Sequence, residues 1–185
     1  MTVHAVGNGL GNQHAAEVII KGRDFLVGST PPAEVIRGGW ATYEFTIGDD
    51  SVIGEIPVQR EWARGTLINV WARFLINEAY AVNNGNVKFR AAYTAVETDG
   101  TQAIGAGATG NLDSADTALP AVALSPQSVY MGAIPAADLA FGDTLGIVIS
   151  RIALTGGGND PAAQEPGIIS VRFSVARDNL VPQRQ

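Results

Sequence analysis

The chain has no cysteine, two histidines and only two lysines in 185 residues. Without Cys there is no disulfide framework, no thiolate nucleophile and no Cys-ligated zinc site, and no redox compartment can be read from thiols. The two histidines, His4 and His14, fall in a polar opening stretch. A zinc site wants three or four ligands in a rigid frame, and a Ser/His/Asp triad wants a buried, oriented base, so neither is expected. Sequences of the GxSxG, HExxH and GxxxxGK[ST] kinds are absent, which removes the signals of the common hydrolases, metalloproteases and P-loop proteins. No apolar run of about 18 residues escapes a charge or a Gly/Pro break, and the opening MTVHAVGNGLGNQH has neither a basic nor an apolar leader region. The expectation is a chain that is neither membrane-spanning nor visibly secreted. Twelve basic residues stand against 18 acidic ones, a net charge of −6, which disfavours nucleic-acid binding through a broad basic face.

What is present points to sheet. The β-branched residues Val (17), Ile (15) and Thr (12) sum to 44, whereas the Lys and Glu of long solvated helices are scarce, at 2 and 8. Gly (22) and Pro (9) punctuate the chain between short apolar runs, as turns between many strands would.

Residues 1–39 differ from the rest. A Gly/Asn-rich start is followed by one apolar stretch and a Pro/Gly hinge, which reads as an N-terminal arm, mobile alone and ordered on a partner. Val18, Ile19, Ile20, Phe25 and Leu26 are its candidate anchors, and Val18 to Lys21 its one candidate strand. From Trp40 the period becomes two. Strands are expected at 40–47, 52–58, 66–76, 87–96, 127–134, 144–152 and 168–176. Ile68, Val70, Phe74, Phe89, Tyr93, Ile147, Ile149, Val171 and Phe173 are their inward members, and Ile169 shares the face of Val171. Asn83-Asn84-Gly85-Asn86 is a turn signal that would join 66–76 and 87–96 as a hairpin-like pair. Residues 97–126 are small and aromatic-free and read as a long surface loop. With no βαβ rhythm and about eight strands, the expected fold is all-β: an antiparallel sandwich of jelly-roll type over residues 40–178, with a tail at 179–185.

The remaining motifs are weighed by context. Gly105-Ala106-Gly107-Ala108-Thr109-Gly110 spells GxGxxG, but no helix-forming segment follows it and no acidic residue lies about twenty positions on, so a loop is expected rather than a phosphate cradle. Asp113, Asp116, Asn159 and Asp160 could collect a calcium ion, but match no EF-hand spacing and read as solvated loop acids. Asp138 reads as a local cap for Pro135-Ala136-Ala137. Trp40, Trp62 and Trp71 are scattered in sequence, which weighs against a carbohydrate platform. No catalytic, metal-ligating or cofactor-binding residues are expected.

Ten arginines to two lysines is more informative. Arg73, Arg90, Arg151 and Arg172 lie within expected strands. Arg suits bidentate carboxylate pairs and interface stacking, while Lys is depleted from interface cores. These four are candidate assembly-interface residues, with cross-strand pairing to Glu44, Glu55 and Glu97 as the alternative.

Four segments occur in an order that resembles a module of tailed-bacteriophage virion proteins: Val87-Lys88-Phe89-Arg90-Ala91-Ala92-Tyr93, Ile134 through Leu145 with Pro135 and Gly142-Asp143, Ile149-Ser150-Arg151, and Gly167 through Phe173. The resemblance covers residues 66–176. It departs at Phe89, where Trp is common, and at Phe141, where Pro is common. It implies a non-enzymatic structural subunit of the virion, typically trimeric. Within that implication the expected role is a capsid decoration (cement) protein on the capsid surface, bound to the major capsid protein, with no nucleic-acid or membrane partner. A tail, baseplate or fibre component with host-surface or carbohydrate binding is the alternative.

Overall fold

The structure is a computed structural model that describes residues 4–6, 15–37, 39–46, 48, 50–58, 62, 65–76, 85–97, 102–103, 106–140, 142–156 and 166–176, without the side chains of 4–6, 15, 16 and 23. Its strands in chain order are β1 (His4–Val6), β2 (Ala15–Lys21), β3 (Leu26–Val27), β4 (Ala33–Arg37), β5 (Trp40–Glu44), β6 (Ser51–Pro57), β7 (Ile68–Ile76), β8 (Asn86–Val96), β9 (Ala108–Asp113), β10 (Thr117–Ala118), β11 (Gln127–Ile134), β12 (Thr144–Ile152) and β13 (Pro166–Ala176). Short 3-10 turns cover Gly22–Asp24 and Ala136–Asp138.

The strands form two antiparallel sheets packed as a sandwich. In the first, β11, β7 and β13 lie side by side, and the far edge of β13 is shared by β5, followed by β4, and by β2, followed by β1. In the second, β9 and β10 share one edge of β8, then come β12, β6 and β3. Dropping the short elements leaves β5-β13-β7-β11 facing β6-β12-β8-β9, the interleaved order of an eight-stranded jelly roll.

The alternation legible in the sequence produces this core. All nine expected inward residues are buried, and Phe74 meets Phe89 across the sandwich with ring centroids 5.2 Å apart. That contact also corrects the hairpin expectation. Segments 66–76 and 87–96 lie in opposite sheets, because each buries a full alternating face and the two faces look at one another. Of their turn signal, Asn83 and Asn84 lie outside the described residues.

The 97–126 segment is only partly a loop. Its Ala108–Asp113 pairs with β8 over six positions, with Leu112 as its one well-buried apolar side chain. Small residues hid this strand, and packing explains them. A Cβ on Gly110 would stand 2.5 Å from the Tyr93 hydroxyl, and one on Gly107 would stand 2.1 Å from the Ala95 carbonyl oxygen. Gly110 admits a close neighbour within the strand, and Gly107 does so just before it. Gly105 lies outside the described residues.

The described part of residues 1–39 is built into both sheets. β2 runs along β13 from Ala15↔Ala176 to Lys21↔Ser170, β3 extends β6, and β4 pairs with β5. Val18, Ile20 and Phe25 belong to the chain's own core. They are not anchors awaiting a partner, since the free half of the β13 edge gives β2 a full ladder of backbone partners. At Gly22 the chain leaves one sheet for the other, passing so close to β5 that a Cβ would stand 2.5 Å from the Ala41 carbonyl oxygen.

Candidate functional site

Two bulges shape the outer face of the first sheet. Between Tyr130 and Gly132 the β11 register slips against β7, so that Met131 and Ile134 both reach the core while Tyr130 stays outside. Between Ile168 and Ser170 the β13 register slips likewise. Ile169 therefore leaves the expected core face of Val171, Phe173 and Val175. It lies buried under the outer surface, at the seam where β2 and β5 share the β13 edge. Bulges of this kind commonly re-aim side chains beside functional surfaces.

The outward residues line up across strands. Ile19, Arg172, Trp71 and Tyr130 occupy consecutive register positions on β2, β13, β7 and β11, a row about 14 Å from first strand to last at the usual strand spacing. The Arg172 guanidinium lies 4.5 Å from the centre of the Trp71 ring and donates to Glu17 at 3.1 Å. Trp71 packs tilted on Tyr130 at 5.2 Å, and the Tyr130 hydroxyl donates to Asn69 Oδ1 at 2.9 Å. Next along the strands are Lys21, Ser170, Arg73 and Ser128, with the Arg73 guanidinium 5.8 Å from the ring of Trp40. Trp40 and Tyr130 are each about half exposed. Aromatic and arginine side chains interleaved on one sheet face are what interface centres use.

At the seam the face is indented by a notch of about 370 Å3 lined by Ile19, Lys21, Gly22, Gly39, Trp40, Ala41, Arg73, Ile169 and Ser170. A second indentation of about 350 Å3 lies between the free edges of β9 and β11 and includes Asp113, Thr117, Ser128, Tyr130 and Met131.

The four strand arginines separate into different roles. Arg73 and Arg172 share the outer face just described. Arg90 lies on the other sheet, where it forms a bidentate pair with Asp113 at 2.7 and 2.8 Å. The hydrogen bonds from Arg90 hold the Asp113 carboxyl below its ordinary range and raise the guanidinium in turn. Arg151 is 1% exposed, points inward and donates to the Phe45 carbonyl at 3.1 Å. It is a core residue, because position 151 continues the inward face of Leu145, Ile147 and Ile149. Of the apolar candidates, Ile19 is half-buried in the outer row, while Leu26 is 72% exposed beside Ile53 on the opposite sheet.

The acids expected in loops are occupied locally. Asp116 accepts the backbone N–H groups of Thr155 and Gly156, which hold it below the ordinary carboxylate range. Asp143 accepts the Ala140 N–H. Asp138 accepts the Tyr93 hydroxyl instead of capping its own turn, and Tyr93 is pushed up to about 12, first by burial and then by this bond. Among the described residues no group of three or more His, Asp or Glu could hold a metal. His14, Asn159 and Asp160 lie outside them. The tryptophans are not scattered in space, since Trp40 and Trp71 share one face with Tyr130 and only Trp62 is buried in the core. The clue available in sequence is the outward position of Trp71 and Arg73, with Asn69, on a strand whose alternate members point in.

No family model matches the chain, and no curated protein matches it. Among solved structures it is similar to a chain of infectious bursal disease virus, Gx strain, at 15% identity and a TM-score of 0.38 over 90% of this chain and 34% of that one. It is similar to a chain of the T13 IBDV viral particle at 12% identity and 0.36, over 87% and 31%. For the Gt strain of infectious bursal disease virus the values are 13% and 0.32, over 92% and 42%. The chain thus spans less than half the length of each.

Proposed function

We propose that this chain is a non-enzymatic structural subunit of a tailed-bacteriophage particle, a capsid decoration protein that binds the outer surface of the major capsid shell as a homotrimer. The observation that carries the reading is the row Ile19, Arg172, Trp71 and Tyr130 with Arg73 and Trp40 beside it, a set of interface-type residues on one sheet face. The resemblance of residues 66–176 to phage virion modules supports it, and the jelly-roll strand order suits a capsid setting. Because β2 belongs to the sandwich, attachment falls to this face and not to a free arm. Copy number tests the reading: mass spectrometry of purified particles should find hundreds of copies each, and undecorated capsids should bind the wild type but lose the Trp71→Ala variant. A dozen copies or fewer, or full occupancy by Trp71→Ala, overturns it. The clustering of Trp40, Trp71 and Tyr130 favours, as a second reading, a fibre or baseplate component that binds carbohydrate, which a glycan array would reveal.

A further inference from the structure

The notch at the β2/β5 seam has a chemistry of its own. Four of the twelve basic residues, Lys21, Arg37, Arg73 and Arg172, stand on the outer face of the first sheet. Arg37 and Arg172 are paired with Glu44 and Glu17. Among the described residues, Lys21 and Arg73 have no carboxylate partner, and both line the notch. In a chain of net charge −6, two cations without a carboxylate partner among the described residues thus stand around one indentation. Ile19, Ile169 and Trp40 supply its apolar lining.

We propose that this notch binds an acidic side chain of a protein partner, a Glu or Asp flanked by an apolar residue, with the carboxylate between Lys21 and Arg73 and the apolar neighbour against Trp40 and Ile19. Charge complementarity selects the carboxylate, and Arg73, already stacked beside the Trp40 ring, offers it a pre-oriented planar fork. The walls select peptide over sugar. Among the described lining residues, Ser170 and the Trp40 indole N–H are the neutral polar side-chain groups, so most of a sugar's hydroxyls would lose water without finding partners. The notch is at the small end of ligand sites, matched to one or two side chains. This inference deepens the capsid-binding reading by naming the partner's chemistry, and its test separates the two.

The probe is a short peptide with blocked ends carrying two glutamates around a leucine, with its glutamine counterpart as control, titrated against the full chain while the Trp40 indole N–H is followed by NMR. Binding of the glutamate peptide should shift that signal, weaken as salt rises, and be at least about tenfold tighter than for the glutamine peptide. Arg73→Ala and Lys21→Ala should each weaken it by about fivefold or more, with melting temperatures unchanged, and Arg73→Lys should retain part of it. Equal binding of both peptides, no binding at all, or indifference to Arg73→Ala overturns the proposal, and tighter binding of glucuronate than of peptide overturns its occupant. Peptide binding by a chain that is absent from particles would leave the notch standing and remove the capsid reading. Hundreds of copies per particle with full decoration by Arg73→Ala would do the reverse.

Discussion

At the scale of single residues, the same residue type does opposite things on the two sides of a strand. Arg73 and Arg151 look alike in sequence, each in an apolar-flanked strand, yet one stacks on an exposed indole and the other is fully buried at the end of the core. Parity within the strand decides between them. Tyr93 shows what burial does to a titrating group. Its hydroxyl lies under Gly110 and donates to Asp138, so the folded chain holds the phenolic proton to about pH 12 while an unfolded chain releases it near 10. Below pH 10 both states keep the proton and the pair is intact. As pH rises from about 10 to about 12, the unfolded state loses the proton first, so stability should fall across that window. Tyr93→Phe should cost about 1 kcal/mol at neutral pH and abolish the part of the slope due to this group, as measured by urea denaturation at a series of pH values. A slope equal to wild type would mean that another group titrates there.

At the scale of elements, the strands legible in sequence are those whose inner face is made of large residues. Segments 87–96 and 144–152 alternate over their whole length, and 66–76 and 168–176 over most of theirs, because each puts one face into the core between the sheets. β9 is not legible in sequence because glycine and alanine do for it what bulk does elsewhere, and sheet membership is invisible where two strands of like pattern face one another. β2 reads as an arm in sequence for a further reason: nothing local announces a partner about 150 residues away. Its removal is therefore the sharpest test at this scale. Deleting residues 1–25 removes Val18, Ile20 and Phe25 from the core, each worth about 1.5–3 kcal/mol, and uncovers the backbone of β13 from Ser170 to Ala176. Domains of this size have about 5–15 kcal/mol in total. The truncated chain should melt at least about 10 °C lower by circular dichroism or fail to fold. A nearly unchanged melting temperature would show that β2 contributes little to the sandwich.

At the scale of the whole molecule, the candidate site exists only because distant segments meet. Its row draws on residues 19, 71, 130 and 172, so reading strand by strand gives the outward Arg and Trp but not their adjacency. The same topology governs folding. β13 lies inside the first sheet, with β7 on one side and β2 and β5 on the other. Until it docks, that sheet is in pieces, with β7 and β11 separated from the N-terminal strands. The Arg172–Glu17 pair closes a separation of 155 residues. Contacts this remote must overcome loop-closure entropy before any of them stabilises the fold, which places jelly-roll sandwiches among slow folders. Refolding from urea, followed by tryptophan fluorescence as Trp62 becomes buried, should take milliseconds to seconds or longer. A chain ending at residue 165 should show neither that transition nor a cooperative melt, since without β13 the first sheet has no centre. Refolding in microseconds, or a cooperative melt of the shortened chain, would mean that the second sheet folds by itself and β13 is only a late addition.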